Sequence, residues 1–166
     1  MNGLIDRLAS AGPHRPTLRP DGAKLGRWLV VAVLMTIASR AWSATNCTVA
    51  SPGVVFGSYD PFSAVALDIT GTITVTCNTS APSTISLSPG GGTYASRKMT
   101  SGVHTLNYNL YTTTTRTIVW GDGTAGTSTV GASGTTVAKT VYGRIPALQN
   151  AFVGSYNDTI TVTITF

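Results

Sequence analysis

The sequence predicts an all-β protein, built as a sandwich or a barrel of short strands. The chain of 166 residues has 18 glycines, only 10% charged residues and no glutamate, a composition that suits strands and turns better than helices. After residue 43 no stretch has a convincing apolar period of 3.6 residues, whereas several stretches alternate between apolar and polar residues. Many short strands separated by turn residues are typical of sandwiches and barrels.

The last stretch of the chain is the clearest strand. From residue 158 onward apolar residues alternate with threonines, and successive side chains of a strand point to opposite faces. One face therefore carries four apolar side chains, those of Ile160, Val162, Ile164 and Phe166. Burial of each contributes about 1.5–3 kcal/mol before entropy is counted, so we expect this face, Phe166 included, to lie in the core. Such a strand must also pair with a neighbour.

Alternation and turn residues predict further strands at residues 48–50, 67–77, 85–87, 106–110, 116–120 and 137–145, with a short apolar run at 54–57. Gly71, in the middle of the strand 67–77, predicts a bulge or a kink. Residues 94–99 are predicted to be irregular. The stretch 124–135, rich in Gly, Ser and Thr, is predicted to be a surface loop, and residues 146–154 form a second predicted loop before the final strand.

Residues 1–43 are predicted to be a secretory signal peptide. A positively charged region up to residue 27 is followed by the apolar run 28–38 and then by small residues. The run is too short to cross a bilayer, which takes about 20 residues, and an uncleaved anchor is the alternative. The expected cut follows Ser43, with Ala41 at position −3. The mature protein would then be a single exported domain over residues 44–166.

Charge in this chain belongs mainly to the predicted leader. Residues 1–43 have six basic and two acidic side chains, a net charge of +4, whereas the remainder has five basic and four acidic ones, a net charge of +1. Because the remainder has no clustered basic stretch, the overall charge of +5 does not indicate nucleic-acid binding.

Cys47 and Cys77 are the only cysteines. In an exported chain two cysteines most simply form one disulfide, and closing a loop of this length would stabilise the fold by about 3–4 kcal/mol. Two unpaired buried thiols are the alternative. The spacing excludes a CxxC redox motif, and two cysteines without further ligands do not make a zinc site.

Catalytic and metal-binding residues are scarce. His104 is the only histidine after residue 43, and with no nucleophile-elbow motif present we interpret it as a hydrogen-bonding loop residue. Asp122, in the turn after Trp120, offers one carboxylate where calcium takes six to eight oxygen ligands. The remaining aspartates are far apart, and a hydrolase with paired carboxylates is not indicated. The sequence therefore predicts no enzyme, no cofactor and no metal site.

Seven stretches, in order and covering nearly all of residues 46–166, resemble the spore coat protein U domain. This family is shared with the Csu-type (archaic) chaperone–usher pilins of Gram-negative bacteria. The stretches are NCTV at 46–49, FGSYDP at 56–61, LDITGTITVTC at 67–77, YNLY at 108–111, WGDGT at 120–124, VYGRIP at 141–146 and GSYNDTITVTITF at 154–166.

The resemblance implies an incomplete immunoglobulin-like β-sandwich that lacks one strand and exposes an apolar groove. A periplasmic chaperone would fill the groove first, and the N-terminal extension of the next subunit would then replace it, a process called donor-strand complementation. The resemblance also implies that Cys47 and Cys77 form the family disulfide. The groove would be lined from the last strand, by Ile160, Val162, Ile164 and Phe166.

One feature departs from the family pattern. Fibre-forming pilins of this group have a donor segment of alternating apolar residues before the first cysteine, whereas here cleavage after Ser43 leaves three residues before Cys47. We therefore expect a subunit that accepts a strand but does not donate one in the usual way.

The leading interpretation is a non-enzymatic subunit of a chaperone–usher pilus, which passes through the periplasm to the cell surface and supports adhesion or biofilm formation. Its partners would be a periplasmic chaperone, an outer-membrane usher and neighbouring subunits. The alternatives are a stand-alone exported coat protein with a completed sandwich, and a secreted lectin-like module that uses residues 120–135. An exposed Trp120 would favour the lectin-like module.

Overall fold

Six antiparallel strands make up the fold of the computed structural model, which describes residues 44–166. The predicted leader 1–43 lies outside the described residues. The strands are β1 (Cys47–Ala50), β2 (Leu67–Leu87), β3 (Arg97–Ser101), β4 (His104–Tyr111), β5 (Val130–Ile145) and β6 (Val162–Thr165). Within residues 44–166 there is no helix, and the predicted all-β class is confirmed.

The strands form one curled sheet around two long strands. β2 and β5 pair along most of their lengths, β1 pairs with β2, β4 pairs with β5, and β3 pairs with β4, which gives the order β1-β2-β5-β4-β3. β6 pairs with the far end of β2, where Leu87 lies opposite Val162. One face of β2 points to the core along both halves of the strand, and the two halves enclose that core between them. The curled sheet therefore has the two layers of a sandwich.

The sequence prediction for β2 is wrong in two respects. The segments 67–77 and 85–87 belong to one strand of 21 residues, and the register runs unbroken through Gly71, which lies opposite Val141. The irregularity occurs instead between Thr76 and Ala81, and across it Gly134 of β5 has a φ of +132°. Odd-numbered side chains are buried on both sides of this bend, so the strand turns from one layer into the other without exposing its core face.

Three other boundaries also differ from the predictions. The region predicted as irregular contains β3, and the predicted loop 124–135 contains the start of β5. The predicted strand 116–120 is not a strand, since Val119 and Trp120 make only isolated bridges, to Tyr111 and Ser128. Trp120 is nevertheless wholly buried, and its Nε1 donates a hydrogen bond of 3.0 Å to the carbonyl oxygen of Ile85.

The first strand is tied to β2 by a disulfide. Cys47 and Cys77 lie opposite each other in the β1–β2 ladder and are bonded. Cys77 faces the core, with 8% of its surface exposed. The disulfide predicted from the two cysteines is therefore present.

The final strand is shorter than its alternating pattern predicts. β6 comprises four residues, and Ile160 precedes it. Ile160, Val162 and Ile164 are partly buried and pack against the core, as expected. Phe166 is 59% exposed, so the expectation that it is a core residue is wrong for the chain by itself.

Candidate functional site: the groove beside the last strand

A cavity with mixed polar and apolar walls opens beside the approach to β6. We call it the groove cavity; its volume is about 290 Å³. Its walls come from all the core strands except β1, and they include Ile73, Leu87, Leu110, Val141, Ile160 and Val162. Two of the four residues predicted to line a groove, Ile160 and Val162, therefore contact this cavity, whereas Ile164 and Phe166 do not. Polar groups, among them Asp158, line the rest of the cavity, so its aliphatic part is the part that favours apolar side chains.

β6 has one edge without a partner in the described part of the chain, where it pairs only with β2. The N–H of Ser88 donates to the carbonyl oxygen of Thr161 at 3.0 Å. Because hydrogen-bonded and non-hydrogen-bonded pairs alternate in an antiparallel ladder, Thr163 and Thr165 also face β2. The N–H and C=O groups of Val162 and Ile164 therefore point to the other edge. A strand arriving there would find backbone partners next to the groove cavity, which Val162 lines.

Asp158 fastens the chain at the entrance to β6. Its Oδ1 accepts a hydrogen bond of 2.9 Å from the N–H of Gly91, and its Oδ2 accepts one of 2.7 Å from the hydroxyl of Tyr108. Burial raises the pKa of Tyr108, and the bond to the Asp158 carboxylate raises it further, so the donor stays protonated at neutral pH. Next to Asp158, the backbone of Asn157 exchanges two hydrogen bonds with Thr100 of β3. The last segment therefore crosses from the edge of β3 to the edge of β2.

A second apolar segment crosses the groove region near the start of the described chain. We call residues 51–57 the strap; they form no strand. Val54 and Phe56 are partly buried, and the Phe56 ring meets the Tyr108 ring edge to face, with centroids 5.7 Å apart. Beyond the strap lies a larger open cavity of about 940 Å³, the loop cavity, lined by the strap and by the loop 151–157. Sequence reasoning found the apolar run 54–57 but not its place over the core.

The residues weighed for catalysis do not come together. His104 is on β4 and not in a loop, and its ring stacks on Phe152 with centroids 4.0 Å apart. Asp122 closes a local turn, where Oδ1 accepts hydrogen bonds from Thr124 and these lower the pKa of the carboxyl. Trp120 has no exposed surface, so it offers no platform for a sugar and does not favour the lectin-like module.

Within residues 44–166 no three side chains of His, Cys, Asp or Glu are grouped so that they could hold a metal ion. That part of the chain also has no helix of the length and apolarity needed to span a bilayer.

The fold and the groove define a class of protein, an open β-sandwich with a strand edge and a cavity side by side. The chain belongs to the Spore Coat Protein U domain family, which matches residues 33–163. It is similar to Protein U of Myxococcus xanthus, with 39% identity over 126 residues, 67% of this chain and 70% of that protein. The resemblance inferred from the seven stretches is confirmed.

One solved structure shows the same fold. It is the CsuC–CsuE chaperone–tip adhesion subunit pre-assembly complex from archaic chaperone–usher Csu pili of Acinetobacter baumannii. One of its chains is similar to this one with a TM-score of 0.54 and 21% identity over 74% of this chain. The match covers 40% of that chain, so this protein spans less than half of its length. The predicted incomplete sandwich is the fold that the two share.

Proposed function

We propose that this protein is an exported structural subunit of a chaperone–usher type pilus, and that the groove beside β6 accepts an extended strand from a partner. The family, and a fold shared with a chain of a pilus chaperone–subunit complex, support this assignment. The observation that carries it is that β6 has an unpaired edge and that Val162 of this strand also lines the groove cavity. An entering strand gains backbone hydrogen bonds at the edge and buries alternate side chains below it.

The proposed partners follow from this geometry. A periplasmic chaperone would hold the groove first, and the extension of a neighbouring subunit would replace it at an outer-membrane usher. Residues 1–43 would direct export to the periplasm, and the fibre would act at the cell surface in adhesion and biofilm formation. In this proposal the role is mechanical and not catalytic.

A synthetic peptide with alternating apolar residues tests strand acceptance. Mixed with purified residues 44–166, it should form a complex that survives gel filtration. At a peptide concentration 100 times its Kd, it should raise the free energy of unfolding by about 2.7 kcal/mol. A peptide of the same composition without alternation is the control. No complex, together with a monomer that unfolds cooperatively by itself, would contradict the proposal.

Backbone methylation makes the test specific for the edge of β6. Two peptides carry N-methyl groups at alternate residues, of opposite parity. Only one parity removes the N–H groups that meet Val162 and Ile164, so only one peptide should lose binding. Equal binding of both would show that the peptide does not pair with the edge.

A stand-alone surface coat protein that completes its own sandwich is the second candidate. The observation that favours it is the strap, since Val54 and Phe56 cover part of the inner sheet face from within the chain. This candidate predicts a stable monomer that binds neither the alternating peptide nor its N-methylated forms.

A further inference from the structure

The sheet beneath the strap is shaped to receive it. A Cβ atom added at Gly71 would lie 2.8 Å from Cγ2 of Val54, and one added at Gly143 would lie 2.8 Å from Cζ of Phe56 and 2.9 Å from Cγ1 of Val54. Carbon atoms in favourable contact are about 3.5–4.0 Å apart, so any side chain at these two positions would push the strap off the sheet. β2 and β5 each have a glycine where the strap lies closest.

Side chains hold the strap in place, since its backbone takes no part in the sheet. Among the described residues, the one hydrogen bond of its backbone N–H groups joins Gly53 to the hydroxyl of Ser51, within the strap itself. Gly53 and Gly57 have φ angles of +84° and +76°, with open space around both. These glycines bracket Val54–Phe56 at positions where only glycine turns without strain.

Both ends of the strap are anchored. On one side β1 is bonded to β2 through the disulfide. On the other side the Tyr59 hydroxyl donates to the carbonyl oxygen of Pro146 at 2.9 Å and accepts from the N–H of Gln149 at 2.7 Å. A segment with fixed ends, glycine turns and no backbone pairing can move away from the sheet without unfolding the strands.

The strap also separates the two cavities. Val54 and Phe56 line both the groove cavity and the loop cavity. A cavity of about 150 Å³ holds one benzene ring, so the groove cavity of 290 Å³ admits about two side chains of that size. A strand of five or six residues places about three side chains on one face. The groove cavity by itself is therefore too small for the side chains of such a strand. The additional space that the strand needs lies on the far side of Val54 and Phe56, in the loop cavity.

We propose that the strap is a built-in plug, which closes the middle of the groove in the free subunit and is displaced when a partner strand enters. The proposal rests on the strand-acceptor function given above. In the free protein Val54 and Phe56 shield the inner face of β2 and β5, and in the complex the side chains of the entering strand take their place.

The affinity for the peptide distinguishes two possibilities. The strap is either a plug that leaves the groove on binding or a permanent floor on which the bound strand lies. If the strap leaves the sheet on binding, the double substitution Val54→Ala and Phe56→Ala lowers the stability of the free protein but not that of the complex. The alternating peptide should then bind about tenfold tighter or more. Gly143→Ala should act in the same direction, because it pushes Phe56 off the sheet and leaves the strap sequence intact. Val65→Ala is the matched control, since Val65 is equally exposed at 75%, lines neither cavity and should leave the affinity unchanged.

Each result has a defined meaning. If the wild type binds the peptide and the double variant binds it equally or less tightly, the strap is a floor; the plug is then wrong and the acceptor function stands. If no variant binds, the acceptor function fails, and the plug fails with it. Should the double variant not fold, Gly143→Ala decides by the same comparison with the wild type and Val65→Ala.

Discussion

Arg97 is the most unusual side chain of the core, since it is charged and has no exposed surface. Its Nη1 donates to Oδ1 of Asn109 at 2.6 Å, and its Nη2 donates to the carbonyl oxygen of Trp120 at 2.7 Å. Nε and Nη2 both donate to the carbonyl oxygen of Ser88. Neutral acceptors thus surround the guanidinium, and burial lowers the pKa of Arg97. The side chain joins the strand β3 to the turn after β2 and to the Trp120 segment.

Replacement of Arg97 should therefore be severe. Arg97→Ala leaves the carbonyl oxygens of Ser88 and Trp120 without a side-chain donor, whereas Oδ1 of Asn109 keeps the N–H of Leu110. We expect a loss of about 3–5 kcal/mol in the free energy of unfolding, measured by urea denaturation. Lys98→Ala, at the exposed neighbouring position, should change it by less than about 0.5 kcal/mol. A loss at position 97 as small as that at position 98 would contradict the role of Arg97 as a link.

Asp68 predicts an acid-sensitive contribution to stability. Oδ1 accepts from Nε of Arg144 at 2.7 Å, and Nη1 of Arg116 lies 3.2 Å from Oδ2. The hydrogen bond from Arg144 is the main cause that lowers the pKa of Asp68 below its ordinary 3.8, against the opposing effect of burial. Since the folded state binds the proton less tightly, the contribution is present above pH 3.8 and is lost as the pH falls through the lower folded pKa.

Comparison of Asp68→Asn with the wild type measures this contribution. At pH 7 the variant should be less stable by at most about 1 kcal/mol, because the carboxylate is one-third exposed and solvent screens the pair. The two proteins should converge in acid, once the carboxyl is protonated in both states. High salt should reduce the difference at pH 7. A difference that does not vary with pH would mean that Asp68 acts by packing alone.

At the level of elements, β1 is short and depends on its cross-link. It has four residues, and three of them are exposed, so its ladder to β2 buries little apolar surface. The disulfide closes a loop with a sequence separation of 30 residues. It also fixes the end of the chain from which the strap starts.

Removal of the disulfide should destabilise the domain. We expect Cys47→Ser with Cys77→Ser to lower the free energy of unfolding by about 3–4 kcal/mol, from the entropy of the opened loop. Reduction of the wild type should give the same loss and serves as the control. A loss below about 1 kcal/mol would indicate that the β1–β2 ladder holds without the bond.

The strands also show how much of the secondary structure local sequence patterns predict. The alternation of residues 106–110 correctly predicted β4, because its apolar face is buried and Asn107 on the other face is exposed, although Asn109 on that second face is buried too. For β2 the prediction stopped at Cys77, where the apolar alternation ends. The next residues lie at the bend where the strand passes from one layer to the other, and a local pattern does not show that the strand continues beyond it.

Taken as a whole, the molecule is predicted to leave the cytoplasm and to lose its basic leader. The leader has a net charge of +4 and the remainder +1, so export would leave a nearly neutral subunit. The family match begins at residue 33 and does not mark the cleavage point.

N-terminal sequencing of the exported protein tests the boundary. We expect the sequence to begin at Ala44, after the cut that follows Ser43. Ser43→Tyr puts a bulky side chain at position −1 and should leave the precursor uncut, whereas the exposed substitution Thr48→Ser should be processed normally. An exported protein that still begins before residue 28 would show that residues 1–43 are not a cleaved signal.

The groove depends on contacts that local sequence patterns do not determine, and the reason is physical. Strand periodicity is local, so the sequence could place Ile160, Val162 and Ile164 on one face, and the pairing of Cys47 with Cys77 needed only the chain's two cysteines. The burial of Arg97, the exposure of Phe166 and the fit of Val54 and Phe56 onto Gly71 and Gly143 depend on segments far apart in the chain. Such contacts leave no periodic pattern in the sequence, and they form only once the sheet has curled.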